Sequence, residues 1–340
     1  MLSPFINSIY GYINGILRYY TSQLLASSIS AIIAALIFTI LLSILLTFYA
    51  VIYGWVERKL LARAHSRHGP TYVGKFGILQ NIADVIKLLS KEHITPKYAS
   101  RGLFFGGILA VAALTVFSTT ILPLSPYFYG LYSNYSLLII FLTLAVSPLL
   151  IFIVGWVSGN KFSSIASQRS IVVLVSFESV LLITLVAISL NGGFNIIDVV
   201  EAQSNIWNII RYPILFIVFL IALLAELERP PFDFREADSE LIAGWLVDVS
   251  PRYYAIALLV DYIRLYMGSL LITDLFLGGW LGPVLPALVW SFIKLTIVTL
   301  LIIFIRVTFF RSKIDRVVKI GWVYLLPLAV INLLASFLFI

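Results

Sequence analysis

The chain has 340 residues, of which 61% are hydrophobic and only 11% are charged. A soluble globular domain is nearer to half apolar and a quarter charged, so a soluble enzyme, a nucleic-acid-binding module and a disordered regulator are excluded. The formal net charge of +7 is therefore better explained by basic loops on one side of a membrane than by a nucleic-acid partner. The chain has no cysteine and only three histidines, so we expect it to bind neither an iron–sulfur cluster nor another metal.

Eight apolar segments are long enough to cross a membrane as helices, which requires about 20 residues. None of them has the period-two alternation of a transmembrane barrel strand. We therefore expect an all-α polytopic membrane protein that forms a single membrane domain over residues 1–340. The predicted spans are 29–54, 102–122, 136–158, 171–190, 206–227, 253–273, 284–306 and 319–340.

The basic residues alternate between the loops that connect these spans. Of the 23 Lys and Arg residues, 19 fall in the four odd-numbered loops or at the span ends that border them, and none falls in the even-numbered loops 123–135, 191–205 and 274–283. Loops rich in Lys and Arg stay in the cytoplasm. The pattern predicts a multi-pass protein of the cytoplasmic membrane, embedded in lipid, with the odd-numbered loops in the cytoplasm and both termini outside.

The first cytoplasmic loop, 55–101, contains an amphipathic pattern. Over residues 75–91, five apolar side chains recur at helical spacing on one face: Ile78, Ile82, Val85, Ile86 and Leu89. Such a stripe predicts a helix that lies at the membrane interface or packs on the bundle. The alternative for the basic residues of this loop is that they only anchor the protein to anionic lipid.

The third cytoplasmic loop, 226–252, is acidic although its side of the membrane is otherwise basic. It holds seven of the sixteen acids of the chain, namely Glu226, Glu228, Asp233, Glu236, Asp238, Glu240 and Asp248. A solvated loop is the ordinary explanation for such a cluster. The apolar residues 241–245 that follow the acids instead favour a folded loop in which neighbouring carboxylates shift one another's pKa.

Four charged residues lie deep within the predicted spans, where a charge is costly and usually functional. Asp261 and Arg264 are three residues apart on one helix face, so they can pair, and a purely structural ion pair is one explanation for them. Glu178 and Lys294 have no partner nearby in sequence, which favours a partner on another helix or a hydrated proton path.

Four motifs in this chain resemble, in the same order, one family of membrane subunits of respiratory complex I (NADH-quinone oxidoreductase), the family whose mitochondrial member is subunit 1. The first motif, in the first loop, comprises 57–63, 67–70 and 73–89. The second comprises 155–163, 169 and 176–178, around the connection between the third and fourth spans. The third is 226–244 in the acidic loop, and the fourth is 321–328 in the last span. The resemblance implies a membrane subunit that forms part of a quinone chamber and couples quinone reduction to proton pumping. It also implies partners: quinone-site and iron–sulfur subunits on the cytoplasmic side, and antiporter-like subunits in the membrane.

The resemblance also assigns roles to residues. It implies that a chamber for quinone, as a shared substrate, includes Glu57, Arg58, Arg63, Asp84, Glu236 and Glu240. It places a chain of acids for the proton path at Glu178, Glu226, Glu228, Asp233, Asp238 and Asp261. Arg264 and Lys294 join the proposed path because they are ionisable groups within spans.

Some positions depart from the family pattern. Asp stands at 238 and 261 where members commonly have Glu, and an acid usual in the third span is absent, with Asn134 and Ser136 nearby. These departures indicate a divergent branch, for which an archaeal source is one explanation. Two alternatives stay open: the equivalent subunit of a membrane-bound hydrogenase complex, and a stand-alone secondary ion transporter. The full-length 73–87 stretch favours the quinone type.

Overall fold

Long apolar helices make up the described part of the chain, which is residues 3–17, 23–235 and 238–337 of a computed structural model. For residues 16–17, 23–28, 238 and 239 only the backbone is described. Within these ranges there is no strand, apart from one isolated bridge between Ser125 and Phe128. The predicted all-α polytopic architecture is confirmed.

The helices are α1 (Pro4–Leu17), α2 (Gln23–Ala64), α3 (Gln80–Ser90), α4 (Arg101–Ile121), α5 (Ser136–Val157), α6 (Lys161–Gly192), α7 (Ile196–Glu201), α8 (Asn208–Arg211), α9 (Pro213–Glu226), α10 (Asp238–Leu241), α11 (Pro251–Phe276), α12 (Ala287–Thr308), α13 (Ile314–Lys319) and α14 (Leu326–Ser336). A π-helical turn, Ile320–Leu325, joins α13 and α14 into one continuous segment.

Seven helical segments are long and apolar enough to cross a membrane, judged by length and composition over the described residues. They correspond to seven of the eight predicted spans. The predicted span 206–227 is instead built from the short helix α8 and the 14-residue helix α9. Pro213 begins α9, and because proline has no backbone N–H, it cannot continue the hydrogen-bond ladder of α8. At about 1.5 Å per residue, α9 extends only about 21 Å.

Several helices continue past the predicted boundaries and carry charged residues with them. Residues 55–64 contain no glycine or proline, so α2 extends to Ala64 and holds Glu57, Arg58 and Arg63 on a helix. Helix α6 begins early because the Asn160 side chain accepts a hydrogen bond from the backbone N–H of Phe162 at 3.0 Å. Arg169 is therefore helical as well.

Helix α11 lies at the centre of the bundle. It packs against α2, α4 and α12, and almost every residue from Ile263 to Phe276 is buried. Polar residues on α11 therefore face protein rather than lipid. The opposite situation holds for α2, whose exposed side chains at a spacing of four residues form an apolar stripe: Ile32, Leu36, Ile40 and Ile44.

The amphipathic helix predicted in the first loop is α3, preceded by a turn at Lys75–Gly77. It lies against α2 and α11, and its 11 residues are too few to cross a membrane. Its apolar side chains stay partly exposed, with Ile86 62% and Leu89 52% accessible. An exposed apolar stripe of this kind suits the membrane interface.

The acidic loop between α9 and α11 is folded. Five of its apolar side chains are buried, each at most 5% exposed: Phe232, Phe234, Leu241, Trp245 and Leu246. The solvated alternative is therefore wrong, because burial of these side chains fixes the loop against the ends of the helices and holds its charged residues in place.

Candidate functional site

Arg235 lies at the centre of a buried group of charged residues where the acidic loop meets α11. Its Nη1 is 2.6 Å from Glu228 Oε2, and its Nη2 donates to Asp261 Oδ1 at 2.9 Å. Arg235 is only 3% exposed and Glu228 only 7%. Its guanidinium therefore links an acid of the loop to an acid of the central helix.

Arg264, one turn further along α11, is 1% exposed and faces the end of α9. Its Nη2 donates to the backbone carbonyl oxygen of Glu226 at 2.7 Å and lies 3.5 Å from Glu226 Oε1, while Nη1 is 3.9 Å from Glu228 Oε2. The expected pairing of Asp261 with Arg264 is therefore not formed. Each of the two residues has a stronger partner outside α11, supplied by the folded loop and by α9.

Glu57 on α2 forms the third part of this group and is 2% exposed. It accepts a hydrogen bond from Arg229 Nη1 at 3.0 Å, a second from Arg306 Nη1 of α12, and interacts with the Tyr262 hydroxyl. The Arg229 guanidinium also lies over the Tyr262 ring, 5.3 Å from its centroid. Glu57 therefore holds together α2, α11, α12 and the acidic loop.

We call these residues the acid–base cluster. It comprises four carboxylates and four guanidinium groups, Glu57, Glu226, Glu228 and Asp261 with Arg229, Arg235, Arg264 and Arg306. Burying ions costs free energy that their mutual attraction only partly repays, so such a cluster is better evidence for function than for stability. A polar cavity of about 30 Å³ lies among them, with Asp233 in its wall, and this volume suits bound water.

Sequence reasoning found the four acids of the cluster but not three of the four arginines. Arg229, Arg235 and Arg306 were assigned to the basic loops that orient the bundle. The signal that could have revealed them is their position directly beside acids or at the end of a span, because a buried carboxylate needs a partner.

An apolar cavity of about 100 Å³ opens between α2, α3 and α11. Apolar side chains from all three helices form most of its wall, with Arg58 and Asp84 at one side. Tyr262 lines this cavity and also interacts with Glu57 of the acid–base cluster. One tyrosine therefore separates an apolar pocket from a buried set of ionisable groups.

Asp84 of α3 holds the charged edge of this cavity together. Arg58 Nη1 donates to Asp84 Oδ2 at 2.6 Å, Gln80 donates to Oδ1 at 3.1 Å, and Lys87 Nζ is 3.6 Å away. Partial burial acts to raise the pKa of Asp84, but the hydrogen bonds and positive charges outweigh it, so the pKa lies below its usual value. Arg63, by contrast, is exposed and does not line the cavity.

Glu240 of α10 connects its own helix to α6 and to the segment that follows α12. Its Oε2 accepts a hydrogen bond from Arg169 of α6 at 2.5 Å, and its Oε1 is 3.5 Å from Arg311, which follows α12. The hydrogen bond from Arg169 and the charge of Arg311 lower the pKa of the Glu240 carboxyl. Glu240 is remote from the apolar cavity, Glu236 lies outside the described residues, and the side chain of Asp238 is not described.

Glu178 of α6 is half-buried and lies near Glu226 of the acid–base cluster. It forms no ion pair or hydrogen bond with the described side chains, but it is close enough to Glu226 for their charges to repel. It therefore continues the line of acids away from the cavity.

Lys294 of α12 lies away from the acid–base cluster. Its Nζ donates to the carbonyl oxygens of Leu277, Gly279 and Leu281, in the loop that follows α11. Beside it is Asp274, a buried acid that sequence reasoning missed because it falls at the boundary of a predicted span. The partner expected for Lys294 is thus supplied by this loop and by α11.

Comparisons with known proteins agree on one family. A family model described as NADH dehydrogenase matches residues 36–337. A protein of Geobacillus sp. that is named as a subunit of NADH-quinone oxidoreductase is 39% identical over 289 residues, covering 82% of this chain and 86% of that protein. One of Syntrophobacter fumaroxidans, likewise named as a subunit of NADH-quinone oxidoreductase, is 35% identical, covering 83% and 88%.

A solved structure provides a further comparison. A chain of the membrane-bound sulfane sulfur reductase, described as an archaeal respiratory membrane complex, superposes with a TM-score of 0.79 at 26% identity. The match covers 89% of this chain and 99% of that one. With the helical bundle and its buried charges, these comparisons show that the chain belongs to the NADH dehydrogenase family of membrane subunits, to which the matching subunits of NADH-quinone oxidoreductase also belong.

Proposed function

We propose that this chain is the membrane subunit of a proton-translocating, complex I-like quinone oxidoreductase, in which it forms part of the quinone chamber. The observation that carries this proposal is the position of Tyr262, which lines the apolar cavity and interacts with Glu57 of the acid–base cluster. A quinone bound in the cavity would lie within one side chain of groups that exchange protons.

The cavity suits the isoprenoid tail of a quinone. Its wall includes Ala50 and Val51 of α2, Val85 of α3 and Leu258 of α11, and small or branched apolar side chains accommodate a flexible hydrocarbon. Arg58 and Asp84 at its edge supply the polar contacts that a quinone head group needs. We assign Glu57, Arg58, Asp84 and Tyr262 to this side of the chamber. Arg63, Glu236 and Glu240 remain assigned to it by the family resemblance alone.

The negative charge created by quinone reduction can couple that reaction to proton transfer. Two-electron reduction of a quinone creates negative charge unless protons arrive, and this charge raises the proton affinity of neighbouring carboxylates. The acid–base cluster responds as a unit because Arg235 and Arg264 each contact two of its acids. Glu178, next to Glu226, continues the path into the bundle, and Asp233 lines the polar cavity within the cluster.

The remaining roles concern the assembly. With no cysteine and no paired-histidine haem site, the chain carries no redox centre of its own, so electrons arrive from a partner subunit. The basic loops place the odd-numbered connections in the cytoplasm and both termini outside. Exposed aromatic residues of the first loop, Tyr72 at 99% and Tyr98 at 83%, suit contacts with cytoplasmic partner subunits. Antiporter-like subunits would receive the proton signal in the membrane.

A second candidate is the same coupling role in a respiratory complex whose acceptor is not a quinone. The sulfane sulfur reductase chain favours it, since the match covers nearly all of that chain. Hydrogenase-linked complexes belong to this candidate. The two candidates share the acid–base cluster and differ in what occupies the apolar cavity.

A substitution that fills the apolar cavity distinguishes the two candidate functions. In the purified complex, Ala255→Phe places a ring in the cavity wall, and we expect the KM for a long-tailed quinone to rise about tenfold, equivalent to about 1.4 kcal/mol. The matched control is Ala113→Phe, which fills a different apolar groove between α2 and α4. Unchanged quinone kinetics in Ala255→Phe would remove the cavity from the quinone chamber and favour the second candidate.

A further inference from the structure

A second set of buried polar groups runs along α11 beyond the acid–base cluster, between α11, α2 and α12. We call it the polar seam. It comprises Tyr49 of α2, Tyr266, Ser269 and Asp274 of α11, and Lys294 and Thr299 of α12, all at most 5% exposed. The coupling role proposed above uses none of these residues, although the sequence analysis had placed Lys294 on the proton path as an ionisable group within a span.

The seam begins next to the acid–base cluster. The Tyr49 hydroxyl is 2.8 Å from Thr299 Oγ1, and the Tyr49 ring meets the Tyr266 ring edge-on at 5.0 Å between centroids. Ser269 places its hydroxyl beside that of Tyr49 without the geometry of a hydrogen bond. The charge of Arg229, which binds Glu57, reaches Tyr49. This end of the seam is therefore in electrostatic contact with the cluster.

Three neighbouring residues of the seam have polar atoms with no partner. The Tyr266 hydroxyl, Ser269 Oγ and both carboxylate oxygens of Asp274 are buried and make no hydrogen bond with the described residues. Tyr266 and Ser269 are three residues apart and so are neighbours on α11, and Asp274 lies about 12 Å from Tyr266 along the helix axis. Buried polar atoms that lack a protein partner are normally satisfied by bound water.

The seam ends at a structure built around Lys294. Its ammonium donates to the carbonyl oxygens of Leu277, Gly279 and Leu281, and it lies over the Trp207 ring at 4.5 Å from the centroid. Asp274 Oδ1 packs so closely on Gly279 that a Cβ atom there would be 2.9 Å from it. At the end of α11 opposite the acid–base cluster, Asp274 and Lys294 therefore lie near enough to interact through their charges, although their side chains form no ion pair with each other.

We propose that the polar seam holds bound water and conducts protons between the acid–base cluster and the far end of α11, where Asp274 and Lys294 form its terminus. The hydrogen bonds from Lys294 to the loop after α11 could serve only to stabilise the fold. That role does not explain why the hydroxyls of Tyr266 and Ser269 are buried without a partner. A water-filled seam accounts for all of them, since each hydroxyl passes on one proton as it accepts another. The inference rests on the proposed coupling function for the source of the protons.

Tyr266→Phe tests the seam because it removes one oxygen atom and keeps the ring. If the hydroxyl were only a buried, unpartnered group, its removal would leave stability and coupling unchanged or improved. In the intact complex reconstituted in vesicles, we instead expect the ratio of protons translocated to electrons transferred to fall about twofold or more, as for the loss of a relay group. Electron transfer in the presence of an uncoupler should persist.

Asp274→Asn provides the second variant, at the terminus of the seam, and should lower the same ratio. The controls are Tyr132→Phe, which removes a hydroxyl, and Asp198→Asn, which removes a charge. Both residues accept a hydrogen bond from the Asn195 side chain, outside the seam. A wild-type ratio in both Tyr266→Phe and Asp274→Asn would overturn the seam while leaving the quinone proposal intact. The ratio of protons translocated to electrons transferred can be measured with any electron acceptor. Failure of the wild-type complex to reduce quinone would therefore overturn the proposed function and leave the seam proposal standing.

Discussion

Arg264 Nη2 lies 2.7 Å from the backbone carbonyl oxygen of Glu226 and 3.5 Å from its carboxylate oxygen Oε1. One side chain of the central helix therefore holds both the end of α9 and the carboxylate that begins the acidic loop. The contact brings together residues 38 positions apart in a part of the bundle from which water is largely excluded. It explains why a loop with seven acids folds against the helices.

Arg264→Met should destabilise the protein. It leaves Glu226 without its cation, and breaking a buried ion pair by removing one partner costs about 3–5 kcal/mol. The measurement is the thermal inactivation of the purified complex. Arg101→Met, which removes an exposed arginine at the start of α4, serves as the control. Equal inactivation temperatures for the two variants would contradict the assigned contact.

Arg58→Gln should loosen α3 in a pH-dependent manner. Because the pKa of Asp84 is lowered in the folded state, its stabilising contribution is present above the ordinary aspartate pKa of about 3.9 and is lost as the pH falls through the lowered value. Amide hydrogen exchange over residues 80–90 should be faster in Arg58→Gln than in wild type at neutral pH. The difference should vanish at a pH at which Asp84 is protonated; a difference that persisted there would contradict the ion pair.

Glu240→Gln should free the acidic loop from its neighbours. The variant keeps the shape of the side chain but loses the charge that attracts Arg169 and Arg311. We expect faster amide exchange over residues 238–241, measured against Asp248→Asn in the same loop. Since the pKa of Glu240 is lowered, the wild-type protection should itself fade as the pH drops through that lowered value. Protection that is the same in both variants would argue against this role.

Gly77→Ala should distort the turn that precedes α3. Gly77 has a φ of 76°, and a Cβ atom there would lie 2.3 Å from the Pro70 carbonyl oxygen. The turn cannot accept that atom without moving, so the wall that α3 contributes to the apolar cavity should shift. We expect a raised KM for quinone with normal assembly. Gly102→Ala, at a position with open space around it, is the matched control.

Hydropathy predicted most of the architecture, whereas the orientation inferred from the basic residues stays a prediction. Spans were read correctly because a helix in lipid must be apolar along its whole length, which leaves a strong signal. The broken span at Tyr212 and Pro213 was missed because residues 206–227 as a whole are apolar enough for a span, although Asn208, Arg211 and Pro213 interrupt their first part. The end of α2 was also missed, because the charged residues in 55–64 are typical of a loop, although they continue the helix.

The candidate site was predicted less completely than the fold. Glu226, Glu228 and Asp261 were identified as crowded or costly charges and Glu57 through the family resemblance, but the partners of these acids depend on tertiary contacts. Asp261 was expected to pair with Arg264 by helix spacing, yet Arg235 approaches it from a loop 26 residues away. Asp274 was overlooked because a boundary residue of a span looks solvated until the following loop is seen to cover it.

The central claim is that buried acids couple quinone reduction to proton transfer, and Glu178→Gln in the reconstituted complex tests it most directly. Glu178 makes no ion pair or hydrogen bond with the described side chains, so the substitution removes a charge and a titratable proton without breaking either kind of contact among them. Glu201→Gln, an exposed acid on α7, is the control. We predict that Glu178→Gln lowers the number of protons translocated per quinone reduced while the complex stays assembled. Wild-type quinone reduction and a wild-type proton ratio in this variant would contradict the account.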